Sequence, residues 1–476
     1  MKTYAPKIRI VIGGSTFFSR STPHLFQFFP EIDYLVVGEG ELPLKNLVAG
    51  FLEKGSVESL KIPALFKKSF QQEKDPIEPD QLPDLRLLPA PDYDDYFERL
   101  KQMAPDKRFF PVLPIEMSRG CPWQGISSGK NSGGCAFCNL NLQWKGYRIK
   151  DPDQVAADIR HLVSTHQVLS VAFTDNLIPK KCSKSLFKAL SQMKIDFHLF
   201  CEVRADIPFE ALCAMKAAGL VEVQAGIESL SRSLLKRIRK GTTAIQNLEF
   251  MKNCEALGIL NRSNLILQFP QSSDSEVEET LRTMDYAYPY RPLRGVEFWL
   301  GAESPIWLHP QSFGINLVFN HPNYQKLFPK EIARDLPMMI QAYRGDVSNQ
   351  RRKWASVRRK LKEWEKAYAT LHKGFPKIPI LSFRDGAAFI LIQERRLNAP
   401  SITHRLTGIS RLIYLFCQHR RSIHEILHRF KGMPAEKIGP FLKMMVDKKL
   451  MYQENEVYLS LAIPVTGEKG LPVRDG

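Results

Sequence analysis

Long apolar segments are missing from this 476-residue sequence, which contains no run of about eighteen apolar residues of the kind that crosses a bilayer. The first residues, MKTYAPKIRIVIGGS, also lack the uninterrupted apolar stretch and the small-residue cleavage site of a secretory signal. A membrane-spanning or secreted protein is therefore not expected. The sequence predicts a soluble cytoplasmic chain that is long enough for two or three domains.

Cysteine is sparse, with eight residues in the whole chain. Five of these stand singly among apolar or helical surroundings and are expected to be buried or incidental thiols: Cys182, Cys201, Cys213, Cys254 and Cys417. The other three, Cys121, Cys135 and Cys138, lie in one polar, glycine-rich stretch. Any metal site is therefore expected in that stretch.

Acidic residues are outnumbered, because 67 Lys and Arg face 50 Asp and Glu and give a formal net charge of +17. Part of the excess is concentrated in RRKWASVRRKLK (351–362). On a helix these bases would surround Trp354 and Leu361, which is typical of a solvated amphipathic helix. The alternative is a surface for an acidic leader peptide or a nucleic acid.

Six short apolar runs between residues 112 and 308 end in polar or glycine residues and alternate with segments of helical periodicity: PIEMSRG, LSVAFTDN, FHLFCEVRAD, VEVQAGIES, SNLILQFP and GVEFWLG. This alternation predicts a parallel, partial (β/α) barrel with its chemistry at the carboxyl ends of the strands. Before the barrel, KIRIVIGG and DYLVVGEGE predict part of a doubly wound, Rossmann-like sheet.

The expected fold class is α/β, and the chain divides into five predicted parts. They are a partial Rossmann-like domain (1–65), a linker (66–110), the barrel (111–330), a basic helical segment (331–376) and a winged-helix-like module (377–476). The last prediction comes from helices followed by a hairpin near the end of the chain.

The segment IEMSRGCPWQGISSGKNSGGCAFC places Cys121 after a predicted strand and leaves two residues between Cys135 and Cys138. This short interval lets two thiolates hold one metal centre, and a third cysteine can close the site. Three ligands on a four-iron cluster leave one iron open. Structural zinc is the alternative, although it usually takes four ligands and the next histidine, His161, is distant in sequence.

The cysteine segment, followed in order by FTDN, CEVRAD, GIESLSRSLLKRIRKGTT and NLILQFP, resembles the radical S-adenosylmethionine (SAM) superfamily over roughly residues 111–310. GIES with LLKRIRKGTT is similar to the cobalamin-associated and methylthiotransferase branches. The superfamily usually has a shorter interval after its first cysteine. Lengthening such a loop costs only about 0.6 kcal/mol per doubling, and the insert QGISSGKNSGG is rich in glycine and serine.

The resemblance implies a [4Fe–4S] cluster on Cys121, Cys135 and Cys138, with SAM bound at the open iron and cleaved reductively. Phe137 would pack near the adenine. The polar residues that end the second to fourth strands would hold the methionine amine and the ribose or carboxylate: Thr174, Asp175 and Asn176 for the amine, and Glu202, Arg204, Glu228 and Ser229 for the rest. Such a set suits a zwitterion, which needs both acceptors and a cation.

The first part, IRIVIGGSTFF with PEIDYLVVGEGELPLKNLV, resembles the closing half of a cobalamin-binding domain. There, Gly13, Gly14 and Ser15 would approach the corrin or its nucleotide tail, since glycine permits close backbone contact. The sequence begins inside that domain and has no Asp-x-His-x-x-Gly signature. A shortened or decayed cobalamin-binding domain is therefore expected.

Near the end of the chain, FRDGAAFILIQER, ISRLIYLFCQ and YLSLAIP resemble the module of the maturation radical SAM protein 1 group, which acts on ribosomally made peptides (RiPPs). The resemblance implies a precursor-peptide substrate, cobalamin-type C-methylation and a reductase or flavodoxin as electron donor. Nucleic acid and membrane partners are not expected. Two alternatives stay open: an RNA-modifying enzyme that uses the basic stretch, and a degenerate, non-catalytic homologue that only binds a peptide.

Overall fold

The computed structural model describes residues 4–5, 7–14, 22–57, 59–68, 81–123, 134–140, 146–373, 378–432 and 434–465. Ser15, one of the expected cobalamin contacts, lies outside these ranges. Within them, no helix combines the length and the apolar character that crossing a bilayer requires.

The first unit is a small sheet with two helices: β1 (Val11–Ile12), α1 (Thr22–Phe28), β2 (Tyr34–Val36), α2 (Glu41–Lys54) and β3 (Leu65–Lys67). Strand β1 pairs parallel to β2, and β3 runs antiparallel to β2 on the other side. After it, short 3-10 turns (Leu85–Leu87 and Pro105–Lys107) flank helix α3 (Asp94–Gln102). The predicted linker therefore contains a helix.

The central unit alternates strands and helices, as the sequence predicts. Its elements are β4 (Leu113–Ile115), β5 (Ser118–Arg119), β6 (Arg148–Ile149), α4 (Pro152–His166), β7 (Ser170–Phe173), α5 (Lys180–Gln192), β8 (His198–Val203), α6 (Phe209–Ala217), β9 (Leu220–Ala225), α7 (Arg232–Arg237), α8 (Ala244–Leu257), β10 (Leu260–Asn261), β11 (Asn264–Leu267), α9 (Asp274–Ala287) and β12 (Arg294–Glu297).

Parallel pairing makes these strands a partial barrel. Strands β4, β7, β8, β9 and β10 form one parallel sheet in that order, and β11 pairs parallel to β12. An isolated parallel bridge from Glu228 to Leu265 joins the two sheets. Each of the six predicted strand segments overlaps one of these parallel strands, so the α/β fold and the partial barrel are confirmed.

Local signals explain where several barrel helices begin. Asp151 accepts hydrogen bonds from the first backbone N–H groups of α4, with Pro152 at the first helical position. Helices α8 and α9 each start with a capping box, Thr243 with Gln246 and Ser273 with Glu276. These caps fix the residues at which the three helices begin.

An antiparallel sheet and a helical segment follow the barrel: β13 (Leu300–Gly301), α10 (Pro305–Leu308), β14 (Leu317–Asn320), α11 (Lys330–Asp335), β15 (Ile340–Arg344), α12 (Val347–Lys353) and α13 (Ala355–His372). Strand β15 pairs with both β13 and β14. This sheet crosses the expected boundary at residue 330. Trp354 and Leu361 are buried, so the basic stretch is an amphipathic helix segment with its apolar face in the core.

The last unit contains β16 (Leu381–Asp385), β17 (Phe389–Arg396), β18 (Ala399–Thr407), α14 (Gly408–Phe416), β19 (Arg421–Ser422), α15 (Ile423–Arg429), α16 (Ala435–Asp447), β20 (Met451–Glu454), β21 (Val457–Ser460) and β22 (Ile463–Pro464). Strands β16 to β18 form a meander, which β22 extends. Helices α14 to α16 lead into the β20–β21 hairpin, beside which β19 pairs. That this unit is a winged-helix-like module stays a prediction.

Helix α8 is covered on both sides, which explains why it lacks a polar face. Residues 247–254 are all buried between the barrel and the last unit. Lys252 donates hydrogen bonds to the carbonyl oxygens of Gln418 (2.6 Å) and Ser460 (2.9 Å). The isolated thiols Cys201, Cys254 and Cys417 are buried as expected, whereas Cys213 is half-buried.

Candidate functional site

The Cys135–Cys138 turn is held between two distant parts of the chain. The N–H of Cys138 donates to the carbonyl oxygen of Cys135 (3.1 Å), which closes the turn. The N–H of the fully buried Ala136 donates to Ile238 (2.9 Å), and its carbonyl oxygen accepts from Ile306 (3.0 Å). Hydrogen bonds to residues that are distant in sequence, Ile238 and Ile306, therefore hold the segment that carries the Cys135 and Cys138 thiols.

The three cysteine thiols are close enough for the charge of one to affect the pKa of another. Burial raises the pKa of Cys135, with cationic Lys240 opposing the rise and the nearby Glu228 and Cys121 reinforcing it. Burial also raises the pKa of Cys138 to about 11, opposed by the Leu140 N–H and reinforced by Cys135 and Cys121. Thiolates at this site therefore need compensation by positive charge or by a metal centre.

Among the described residues, no three His, Cys, Asp or Glu side chains are grouped as the ligands of a single metal ion. Two thiolates on one ion stand at most about 4.6 Å apart, because each metal–sulfur bond is ~2.3 Å long. A four-iron cluster gives each thiolate its own iron and so needs a wider spacing. Three thiolates are one ligand short of a closed zinc site, whereas on a four-iron cluster they leave one iron open, so the donor set of Cys121, Cys135 and Cys138 fits a cluster better than zinc.

The indole ring of Trp123, a residue that the sequence analysis did not single out, lies near Cys121. Its indole N–H donates to the carbonyl oxygen of Arg239 (2.9 Å), and the guanidinium carbon of Arg204 lies 4.4 Å from the ring centroid. Gly241 has φ +72°, and a Cβ there would overlap the Trp123 ring. The sequence signals were CPW and the KGTT run, which the fold brings into contact.

Lys240 and Glu228 form a buried ion pair next to the cysteine turn. Lys240 Nζ lies 3.2 Å from Glu228 Oε1 and 5.8 Å from the centroid of Phe137. Burial alone would lower the pKa of Lys240, but Glu228 and Cys135 raise it above its ordinary value. Gly226 leaves room for the ammonium, since a Cβ there would collide with it. The pair brings the predicted residues Phe137 and Glu228 together.

Glu202 and Arg204 end strand β8 on the same side. Burial raises the pKa of Glu202 to about 7, with nearby Glu228 reinforcing and Lys240 opposing the shift. Arg204 is bound to Asp206 (3.2 Å) and donates to the carbonyl oxygen of Lys240 (3.1 Å). Both predicted residues therefore lie in the surroundings of the three cysteines.

Asp175 is placed differently from its neighbours Thr174 and Asn176. It is buried and accepts hydrogen bonds from the N–H of Met117 (3.0 Å) and the hydroxyl of Ser118 (2.5 Å). Its carboxylate therefore fixes the turn before Cys121 and does not face open space. Thr174 is exposed and Asn176 is half-buried, so these two keep the accessible positions at the end of β7.

Ser229 is fully buried, and its hydroxyl accepts a hydrogen bond from the N–H of Ser231 (3.0 Å). The adjacent Glu228 adopts φ 60°, which turns the chain sharply after β9. Ser229 therefore stabilises this turn. Its expected contact with a ligand stays a prediction.

The first sheet contacts the chain just before the loop that begins at Cys121, here called the cysteine loop, through a network of buried charges. Glu39, which follows β2, lies 3.2 Å from a guanidinium nitrogen of Arg119 and also pairs with Arg148. Arg119 further pairs with Glu41 (2.6 Å) and Glu116 (2.8 Å). Arg119 precedes Cys121 by two positions, so the carboxyl edge of the first sheet adjoins the cysteine loop. No sequence signal related Arg119 to Glu39.

Gly13 and Gly14 follow β1 and are exposed. A Cβ on Gly13 would lie 3.3 Å from the carbonyl oxygen of Val36, a close approach of two strand ends. Gly14 has φ +109° and open space where a side chain would stand. The two glycines leave a bare backbone surface at this edge.

A protein-family comparison decides the identity of the barrel. The model of the Radical SAM superfamily matches residues 115–284, which contain all three cysteines and strands β5 to β11. Residues 115–284 form a radical SAM domain. This match confirms the superfamily expected from the sequence.

Curated relatives of the radical SAM domain agree with the match. An uncharacterised methyltransferase of Pyrococcus horikoshii is 28% identical over 319 residues, which are 63% of this chain and 64% of the relative. An anaerobic magnesium-protoporphyrin IX monomethyl ester cyclase of Cereibacter sphaeroides is 26% identical over 289 residues, 58% of this chain and 44% of the relative. The chain thus spans less than two thirds of the length of each.

Solved radical SAM structures share the fold. The cobalamin-dependent SAM radical enzyme OxsB has a TM-score of 0.57 at 16% identity, over 74% of this chain and 54% of that chain. The radical SAM methyltransferase TsrM of Kitasatospora setae has a TM-score of 0.54 at 17% identity, over 75% and 71%. This chain therefore shares its fold with both of these enzymes.

Proposed function

We propose that this chain is a radical SAM enzyme that cleaves SAM reductively at a [4Fe–4S] cluster held by Cys121, Cys135 and Cys138, and that it methylates carbon with the help of cobalamin. The observation that carries the proposal is the grouping of the three cysteines with the buried Lys240 and the half-buried Arg204 near the carboxyl ends of parallel strands. The superfamily match over these residues supports it.

The surroundings of the cysteines suit a negatively charged cluster. Lys240 lies close enough to Cys135 to affect the thiol pKa, and Arg204 acts in the same direction. The N–H of Leu140 approaches Cys138 Sγ at 3.5 Å. A cluster with three protein ligands supplies one-electron reduction of a substrate bound at its fourth iron.

The chain's own residues would bind and orient SAM. Phe137 offers an aromatic face beside Lys240, and Glu202 and Glu228 offer acceptors for an amine or for ribose hydroxyls. Glu202 holds a proton over part of the neutral range, since burial raises its pKa to about 7. Arg204, stacked on Trp123, provides a fixed cation for a carboxylate.

Cobalamin would lie against the bare backbone of Gly13 and Gly14. The placement is supported by the Glu39–Arg119 contact, which brings the carboxyl edge of the first sheet next to the cysteine loop. A group bound at that edge would therefore adjoin the SAM site. When bound, cobalamin supplies a transferable methyl group.

A ribosomally made precursor peptide is proposed as the substrate, and a reductase or flavodoxin as the electron donor in the cytoplasm. Two features of the last unit support a peptide substrate. The unit resembles a peptide-maturing module, and the hydrogen bonds of Lys252 hold it against helix α8. RNA is less favoured as the substrate, since several basic side chains of the 351–362 stretch already form salt bridges within the protein: Lys353 with Asp274, Arg358 with Glu297 and Lys360 with Asp285.

Anaerobic reconstitution with iron and sulfide tests the proposal. We expect about four irons per chain and release of deoxyadenosine from SAM after reduction by dithionite. The Cys121, Cys135, Cys138 triple alanine variant should lose both, whereas the matched control Cys213→Ala, a half-buried thiol on α6, should keep both. Stoichiometric zinc, or a full cluster without SAM cleavage, would refute the proposal and favour the degenerate homologue.

A further inference from the structure

A polar cavity lies at the opposite end of the partial barrel from the cysteines. Its volume is about 590 Å³, which is within the range of small-molecule sites. Asn264 and Arg294, the first residues of β11 and β12, line it, together with Glu365 and Tyr368 of α13. The amino ends of parallel strands stand opposite the catalytic edge, so this cavity is separate from the candidate SAM site.

The cavity is richer in cations than in acids. Three arginines line it, Arg262, Arg291 and Arg294, against Glu222 and Glu365. Arg262 is paired with Glu222 at 2.9 Å, so these two charges compensate each other. The guanidinium carbon of Arg291 lies 5.7 Å from the centroid of Tyr368. Among the described residues, Arg294 has no carboxylate partner.

Asn261 adds a buried donor that the protein leaves unsatisfied. Its side chain is 4% exposed and lines the cavity. Its Oδ1 accepts from the N–H (3.1 Å) and the hydroxyl (2.5 Å) of Ser263. Because a backbone N–H can only donate, the amide orientation is fixed, and Nδ2 is left without an acceptor in the described part of the chain.

We propose that this cavity binds an anionic oxygen group, a carboxylate or a phosphate, carried by the molecule on which the barrel acts. Arg291 and Arg294 supply positive charge, and an oxygen seated on the wall gives Asn261 Nδ2 its missing acceptor. The role of the bound molecule as substrate rests on the proposed function, whereas anion binding does not.

Two residues of the cavity lie next to Glu202 at the cysteine end of the barrel. Gln224 lines the cavity and donates to Glu202 Oε1 at 3.5 Å. Phe200 also lines it and stands two positions before Glu202 on β8, and residues two apart on a strand share a face. A molecule held by its acid at Arg294 therefore extends along this face toward the radical SAM site.

Calorimetric titration of the full chain with inorganic phosphate and with succinate, at constant ionic strength, tests the inference. At least one probe should bind saturably, and the probe that binds identifies the source of the oxygens. Arg294→Gln should weaken this binding by at least about tenfold, as expected for a lost charge-assisted hydrogen bond. Asn261→Asp should do the same, because it keeps the Ser263 contacts and replaces Nδ2 by an oxygen that repels an anion.

The matched control is Arg160→Gln, which removes an exposed arginine from helix α4 on the outside of the barrel. Its affinity should equal that of the wild type. Absence of saturable binding by both probes, or an equal loss in the control, overturns the inference. Deoxyadenosine release by the wild type is scored separately. Its absence would refute the proposed function and leave the anion result intact.

Discussion

Buried charge around the cysteines is compensated residue by residue. Lys240 meets Glu228, and Arg204 meets Asp206. Removing either partner alone would leave a buried ion without compensation, which is more costly than the net value of the pair. The residues that surround the thiols therefore stabilise one another before any ligand binds.

Asp175 gives a prediction about pH. Burial raises its pKa from 3.8 to about 6, so the folded state binds the proton more tightly than the unfolded chain. The stability contributed by protonated Asp175 is present below about pH 4 and is lost as the pH rises through 6, a change of about 3 kcal/mol. In Asp175→Asn the amide can still accept from Met117 and can donate to Ser118. We expect this variant to be more stable than the wild type at pH 7.5.

Urea unfolding of the apoprotein at several pH values measures this difference. The difference in unfolding free energy between Asp175→Asn and the wild type should grow between pH 4 and 6. Asp196→Asn, an exposed control, should show no such trend. A less stable Asp175→Asn at pH 7.5 would contradict the assignment.

Gly241 gives a prediction about packing. Gly241→Ala adds a Cβ that overlaps the Trp123 ring in a backbone conformation with φ +72°. We expect a loss of about 3 kcal/mol in unfolding free energy and less iron incorporated on reconstitution, because Trp123 adjoins Cys121. The control is Gly258→Ala, which has φ +61° but open space around its Cβ. Its loss should be only about 1 kcal/mol, with iron content unchanged.

Among the elements, the short strand β5 has the most consequential position. Its two residues connect the barrel to the first sheet through Arg119, and to β7 through the bond from Ser118 to Asp175. Both contacts precede Cys121 by no more than three positions. The cysteine loop is therefore sensitive to the docking of the first sheet.

Glu39→Gln tests this connection. Glu39 is almost fully buried between Arg119 and Arg148 and accepts from the N–H of Leu82 at 2.8 Å. Neutralising it leaves two guanidinium groups less compensated, so we expect a loss of about 3 kcal/mol in unfolding free energy. Protease cleavage between residues 57 and 113 should also become faster. Glu53→Gln, which is exposed on α2, should leave both quantities unchanged.

In the whole molecule, three parts meet the barrel at three different places. The first sheet adjoins the cysteine end, α13 adjoins the cavity at the opposite end, and the last unit covers α8. Each part can therefore influence a separate step: cofactor placement, anion binding or substrate presentation.

Docking of the last unit should depend on pH through Lys252. Burial lowers the pKa of Lys252 to about 7 from 10.5, with Glu249 opposing the shift. The unfolded chain therefore binds this proton more tightly, and stability from this group rises as the pH increases from 7 to 10. Lys252→Met should abolish that rise in hydrogen-exchange protection of α8. Lys437→Met, exposed on α16, should retain it.

The sequence by itself predicted the barrel and the cysteine site. Strand-end motifs such as FTDN and CEVRAD mark where short apolar runs stop, and the length of the runs, together with the helical periodicity of the segments between them, distinguishes strands from helices. Glu202, Arg204 and Glu228 lie near the cysteines because parallel strands bring their carboxyl ends to one edge. Their residue types and positions were sufficient for that prediction.

Only the tertiary structure decided which of these side chains face the site and which serve the scaffold. Asp175 accepts from Met117 and Ser118 in the turn before Cys121, and Ser229 accepts from Ser231 in its own turn, choices that spacing along the sequence cannot specify. Arg119 with Glu39, and Asn261 with Arg294, come from segments far apart in sequence. Such contacts depend on how the units pack, because long-range proximity follows from the arrangement of whole elements and has no periodic pattern along the chain.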